Sequence, residues 1–162
     1  MNDQLDLDTT TKILDAILQA ELAGVVRYTH SSLMITGPNR IPLVAFMKAQ
    51  ATESLVHAQQ VGEILTGLGG HPTQTIEVIE ETHRHGIHDI LEEAWSHERR
   101  ALGLYRDLLI CVEGDSIYLE EFARTMISTE ELHGLELRKM LRDFAPQISD
   151  TVAPPAPPAP RA

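Results

Sequence analysis

Apolar side chains recur every three or four positions along four long stretches of the chain, which is the spacing of one helix face. TGPNR, GLGG and EGDS separate these stretches, and glycine, proline and short polar residues favour turns. The sequence therefore predicts an all-α protein with four long helices. The first runs from about Thr9 to Met34, with Asp8, Thr9 and Thr10 as capping residues. The second runs from about Ile41 to Gly67, and the third runs from the 80s to Val112. The fourth runs from a cap at Asp115 or Ser116 to about Phe144.

The lengths of the connections predict how these helices are arranged. The first and second helices, and the third and fourth, are joined by short loops, so each pair is expected to form an antiparallel hairpin. GGHPTQTIEVIEE between the pairs is too long for a tight turn and predicts a crossover along the bundle. Residues 146–162 are rich in Pro and Ala and poor in large apolar residues. We therefore expect a four-helix bundle over 1–145 and a disordered tail over 146–162.

The two predicted hairpins resemble each other in sequence. In each, a Tyr follows a Glu by seven residues, about two helical turns, and a His follows a Phe by eleven. The matching pairs are Glu21 with Tyr28, Glu98 with Tyr105, Phe46 with His57, and Phe122 with His133. This repeat predicts a pseudo-twofold bundle in which a ligand at the axis contacts both halves.

Glutamates and histidines interrupt the apolar stripes of all four helices. Glu21, His57 and Glu98 lie within the first three stripes, and Glu130 and His133 interrupt the fourth at a spacing of three. A carboxylate on a core face must be paired, hydrogen-bonded, protonated or bound to a metal. No Lys or Arg lies on these stripes, whereas two divalent cations would neutralise the cluster. A buried polar network without metal is the alternative.

The types of side chain narrow the choice of metal and partner. Carboxylates and imidazoles without thiolate suit iron or manganese more than copper or a structural zinc. The net charge of −11 disfavours nucleic acid and anionic membranes and suits the attraction of cations. Cys111 is the single cysteine, which favours a reducing compartment, the cytoplasm. We expect no signal peptide and no membrane-spanning segment.

The ligand pattern of Glu, Glu/His, Glu and Glu/His on four helices resembles the di-iron carboxylate proteins, which are ferritin-like. Over about residues 5 to 145 the chain is most similar to bacterioferritin. The resemblance implies a homo-oligomer that binds two Fe ions, with Mn or Zn as substitutes, and oxidises Fe(II) with O2 or H2O2 for storage. It implies that Glu21 and His57 hold one metal, that Glu98 and His133 hold the other, and that Glu130 bridges them.

The second helix departs from the family pattern. The family carries Glu three residues before the His, where this chain has Ser54, and Glu53 comes one residue earlier. Glu53 remains a candidate ligand, displaced around the helix, and we expect the subsite of Glu21 and His57 to be the weaker one. Bacterioferritin binds haem through a Met just after this Glu; Leu55 stands there, so no haem is expected.

Two further sets of residues are candidates. Tyr28 and Tyr105 could hydrogen-bond a carboxylate or supply an electron, or could simply pack in the core. His83, His85 and His88 are expected to be solvated or to cap the third helix. The alternative functions are a di-iron oxidase or peroxidase that stores no iron and an assembly subunit with an empty site.

Overall fold

A computed structural model describes residues 5–142 and contains four helices and no strand within that range. They are α1 (Leu7–Met34), α2 (Arg40–Gly67), α3 (Ile87–Val112) and α4 (Ile117–Leu141). The predicted all-α fold with a long connection between the second and third helices is confirmed. The expected tail over 146–162, the boundary at 145 and the helix end near Phe144 lie outside the described residues.

Polar side chains determine where two of the helices begin. The Asp6 carboxylate accepts a hydrogen bond from the backbone N–H of Thr9 at 3.0 Å. This satisfies a donor that the first turn leaves without a helical partner. Asp6 is therefore the cap, and the prediction that Asp8 to Thr10 cap the helix is wrong. Ser116 caps α4 as predicted, and its hydroxyl accepts from the N–H of Leu119 at 3.4 Å.

Short loops join the members of each helix pair. Residues 35–39 connect α1 to α2, and residues 113–116 connect α3 to α4. Gly37 and Gly114 have φ angles of 88° and 86° in these loops, a conformation that glycine adopts without steric strain. The pairs α1–α2 and α3–α4 pack together, and α1 also packs on α3.

The connection between α2 and α3 crosses the length of the bundle beside α1. The backbone N–H of Thr73 donates to Asp15 at 2.9 Å, and that of Glu77 donates to the Gln19 carbonyl at 3.1 Å. Glu77 also accepts a 2.7 Å hydrogen bond from Arg100 on α3. The crossover therefore holds α1 and α3 from outside, and it brings α3 back antiparallel to α1.

The hydrophobic core consists of two clusters. One contains Leu14, Ile17 and Leu108, and the other contains Met47 and Leu137; all five side chains are fully buried. The polar side chains that interrupt the helical stripes lie between the two clusters. None of the helices within 5–142 is both long enough and apolar enough to cross a bilayer.

Truncation in this core should destabilise the protein. Leu108→Ala removes a side chain with no exposure and should lower the free energy of unfolding by about 2–5 kcal/mol. Ile110→Ala, on the same helix but 75% exposed, should change it by less than about 0.5 kcal/mol. Urea unfolding of metal-free protein followed by circular dichroism measures both. Equal effects of the two variants would contradict the assigned helix face.

Candidate metal centre

Five ionisable side chains from the four helices meet midway along the bundle. Glu21 comes from α1, His57 from α2 and Glu98 from α3, while α4 supplies Glu130 and His133. Glu21, Glu98 and Glu130 are 2%, 4% and 3% exposed, which removes them almost completely from water. The convergence follows from helical geometry, because each residue occupies the inward face of its helix.

The ligand atoms form two groups that share one carboxylate. Glu21, His57 and Glu130 each offer an atom within 4.8 Å of the others, and so do Glu98, Glu130 and His133. His57 Nδ1 is 3.4 Å from Glu21 and 3.3 Å from Glu130. His133 Nδ1 is 3.3 Å from Glu98 and 3.4 Å from Glu130. Glu130 therefore lies between the two histidines, with one oxygen toward each.

Shared protons offset part of the negative charge of this cluster. Burial disfavours charged imidazole, but hydrogen bonds to Glu130 and Glu21 raise the pKa of His57 to about 10. Burial likewise opposes charge on His133, whose pKa rises to about 10 through Glu130 and Glu98. No Lys or Arg makes an ion pair with these five side chains within residues 5–142.

The three carboxylates do not share this environment equally. Burial raises the pKa of Glu98, and this effect outweighs the hydrogen bond with His133, which lowers the pKa. Burial also acts on Glu130, but its hydrogen bonds with His133 and His57 lower its pKa below the ordinary value. Glu130 is therefore the carboxylate best stabilised as an anion, in agreement with its position between the two histidines.

Two buried tyrosines hold carboxylates of the opposite helix. Tyr105 donates a 2.7 Å hydrogen bond to Glu21, and Tyr28 donates to Glu98. Burial and the adjacent carboxylates raise the pKa values of both tyrosines well above 10, so both hydroxyls remain donors. Each Tyr lies two turns from the Glu of its own helix. Because α1 and α3 are antiparallel, that offset brings it level with the Glu of the other helix.

The structure places Glu53 on the far side of both histidine rings. Its carboxylate is 3.9 Å from Nε2 of His57 and 3.2 Å from Nε2 of His133, and the side chain is 37% exposed. The three buried carboxylates contact the Nδ1 atoms instead. Glu53 therefore belongs to neither of the two groups, and it links the centre to the surface.

Ser54 lines the cavity of the centre together with His97, which was not among the residues selected from the sequence. His97 is 6% exposed, packs edge-on against Tyr28, and has its pKa lowered by burial. A Cβ on Gly24 would lie 2.6 Å from His97 Nε2 and 2.8 Å from Ser54 Oγ. Gly24 is therefore needed for α1 to approach these two side chains closely. The position of His97 directly before Glu98 was the signal available in the sequence.

The remaining histidines lie away from the centre. The rings of His30 and His85 are 5.8 Å apart at the end of α1, and His83 has a φ of 55° in the crossover. His88 is 3.8 Å from Glu92 in the first turns of α3. None of these four lines the cavity around the five ligand atoms. Leu55, the position relevant to haem, is 41% exposed on α2.

An all-α bundle with a buried cluster of carboxylates and histidines defines the class of protein. The family model described as Ferritin-like domain matches residues 11–145, which is most of the chain. The chain belongs to the ferritin-like family. No curated protein sequence matches the chain.

Solved structures of ferritin-like proteins share the fold. A ferritin-like di-iron carboxylate protein from Bacillus anthracis has a TM-score of 0.80 and 22% identity, over 87% of this chain and 99% of that chain. A dodecameric thioferritin from Bacteroides fragilis gives 0.78 and 21%, over 87% and 89%. Rhodobacter capsulatus bacterioferritin gives 0.76 and 23%, over 89% and 88%. These identities support similarity of fold, as predicted from the resemblance.

Because the two histidines share protons with carboxylates only in the folded protein, we expect the stability of the protein without metal to depend on pH. His57 and His133 have pKa values of about 10 in the folded protein, against 6.5 in the unfolded chain. Their contribution is therefore complete below about pH 6.5 and is lost as the pH rises toward 10. The urea concentration at the midpoint of unfolding should therefore decrease as the pH is raised from 6.5 to 9.5 with a chelator present. The double variant His57→Gln, His133→Gln should lose much of this dependence; an unchanged slope would contradict the assigned pairs.

Proposed function

We propose that this protein oxidises Fe(II) at the buried centre and stores the product, as a ferroxidase of the bacterioferritin type. The observation that carries the proposal is the pair of three-residue groups sharing Glu130. Two divalent cations would replace the protons that the two histidines now share with the buried carboxylates. Carboxylate and imidazole ligands suit iron, with manganese or zinc as substitutes.

We assign one Fe(II) to Glu21 and His57 and the other to Glu98 and His133, with Glu130 contacting both. The two ions together supply two electrons. Dioxygen takes up two electrons and two protons to give H2O2, or H2O2 takes up the same number to give two waters. Because one site binds both ions, one molecule of oxidant receives both electrons at that site.

The chain's own groups prepare the site for this reaction. His57 and His133 release their protons when iron binds, because a ligating imidazole nitrogen must be neutral. Tyr28 and Tyr105 hold Glu98 and Glu21 in place through hydrogen bonds. Supply of an electron by either tyrosine stays a prediction, as does Glu53 as a ligand.

Storage requires an assembly, and we propose that the chain forms a homo-oligomer in the cytoplasm. The similar fold of the dodecameric B. fragilis protein supports this assembly. The net charge of −11 favours collection of cations over binding of nucleic acid or anionic membranes. Absence of haem stays a prediction based on Leu55.

An oxidase or peroxidase that stores no iron is the second candidate. Ser54, at the position where the family has a bridging carboxylate, is the residue that supports it, because the ligand set differs there from that of the storage proteins. The native mass of the particle and the iron that it retains after oxidation separate the two functions.

Removal of the shared carboxylate should abolish the reaction. Glu130→Ala takes a negative charge from both iron sites, so Fe(II) oxidation should fall by at least about 100-fold, or roughly 3 kcal/mol of activation free energy. Helix content should be unchanged, because the two hydrophobic clusters on either side of the centre are left intact. Absorbance of Fe(III) under air measures the rate. Glu121→Ala, an exposed position on the same helix, is the control, and normal oxidation by Glu130→Ala would refute the assignment.

The family arrangement on α2 can be restored by exchanging two residues. Glu53→Ser with Ser54→Glu returns the carboxylate to three residues before His57, and His97→Ala makes room for it. This triple variant should bind a second Co(II) about ten-fold more tightly, or roughly 1.4 kcal/mol, because another carboxylate contacts both ions. Calorimetric titration measures the two affinities. His97→Ala alone is the control, and equal second-site affinity in the two proteins would show that the native site lacks nothing at Ser54.

A further inference from the structure

A second cavity reaches the metal centre from the surface, between α3 and α4. Its volume is about 320 Å³, whereas the cavity around the centre is about 10 Å³, room for about one water. Glu98 and Glu130 line both cavities. Since these two carboxylates are almost fully buried, they form the inner end of the larger one. This α3–α4 cleft therefore leads from solvent to the carboxylates of the site.

A glycine keeps the cleft open. Gly134 lies inside α4, directly after His133, and lines the cleft. Glycine is a poor helix former, so its presence inside a helix needs a reason. A Cβ at this position would meet no atom within 4 Å, so packing within residues 5–142 does not require the glycine. The missing side chain leaves open space in the cleft instead.

The charge at the mouth of the cleft differs from that of the protein as a whole. Arg99 lies over the ring of Trp95, with its guanidinium carbon 5.1 Å from the ring centre, and Arg138 lines the same cleft. Neither arginine makes an ion pair within the part of the chain that the structure describes, whereas Glu131, which also lines the cleft, pairs with Arg106 at 2.7 Å. The mouth is therefore positive on a chain of net charge −11.

Another side of the centre, next to α2, has the reverse character. Glu53 is partly exposed and lies against Nε2 of both His57 and His133. An exposed carboxylate attracts divalent cations, whereas the two arginines of the cleft repel them. The centre therefore has one side suited to Fe(II) and another suited to an uncharged or anionic reactant.

We propose that the α3–α4 cleft is the entrance for the oxidant, a small uncharged oxygen species such as O2 or H2O2, and that Fe(II) enters beside Glu53. This inference rests on the proposed ferroxidase function. Separate entrances allow the oxidant to reach the inner carboxylates while both metal ions are already bound.

Azide is a suitable probe, because it is a small anion that binds metal ions and changes the visible spectrum of Co(II). Stopped-flow mixing of azide with the Co(II)-loaded full-length protein measures entry without any turnover. Gly134→Leu should fill the cleft and slow azide binding by about ten-fold or more, with Co(II) affinity and rate of entry unchanged. H2O2 oxidation of preloaded Fe(II) should slow by a similar factor.

Gly103→Leu is the matched control. Gly103 also lies inside a helix, and a Cβ there also meets nothing within 4 Å, but it does not line the cleft. This variant should bind azide at the rate of the unmodified protein. Equal azide rates in Gly134→Leu and Gly103→Leu would overturn the proposal.

A charge reversal tests the same route if Gly134→Leu alters folding or assembly. Arg138→Glu should slow azide entry about two- to ten-fold at low ionic strength, and the effect should disappear in concentrated salt. Lys48→Glu makes the same change in charge on α2 and should leave the rate nearly unchanged. If the two reversals have equal effects, the route is wrong even though the site binds metal. If the unmodified protein binds no Co(II), both the ferroxidase function and this route fail.

Discussion

The burial of three carboxylates and two imidazoles without a Lys or Arg partner is the constraint on which the structure depends. Charges taken out of water are costly unless they are paired or neutralised. Here the two protons held on His57 and His133 offset part of the negative charge of the three carboxylates. The protons that the two histidines hold are therefore the ones that metal ions would displace.

Much of the fold and of the centre could be predicted because the signals are local. Apolar spacing identified four helices, and loop lengths identified the hairpins and the crossover. Glutamates on apolar stripes pointed to the centre without any knowledge of how the helices pack. The predicted start of α1 was wrong, because Asp6 and Asp8 can both cap a helix. Only the folded structure shows that the Asp6 carboxylate is the one that reaches the N–H of Thr9.

The contacts that could not be predicted depend on how the helices align. The pairing of Tyr28 with Glu98 requires α1 and α3 to be antiparallel neighbours at one particular register. The sequence contains the two equal Glu-to-Tyr spacings but not that register. The same limit applied to Glu53. Its angle around α2 allowed it to face the centre or to face outward, and the structure places it beside the Nε2 atoms, at the edge of the site.

Ser54 stands three residues before His57, where α4 has Glu130 before His133, and this difference is one part of a larger exchange of volume between the two halves. If Glu21 corresponds to Glu98 and His57 to His133, then Ser54, His97 and Gly24 correspond to Glu130, Ala20 and Ala101.

At these positions one half has a glutamate and two alanines, whereas the other has a serine, a histidine and a glycine. The contacts of Gly24 with His97 and Ser54 show that this space is filled. A glutamate at position 54 would compete with the His97 ring for that space, and a methyl group on Gly24 would collide with it. Ser54 therefore differs from its counterpart together with Gly24 and His97, and the asymmetry of the centre involves α1, α2 and α3 rather than one residue.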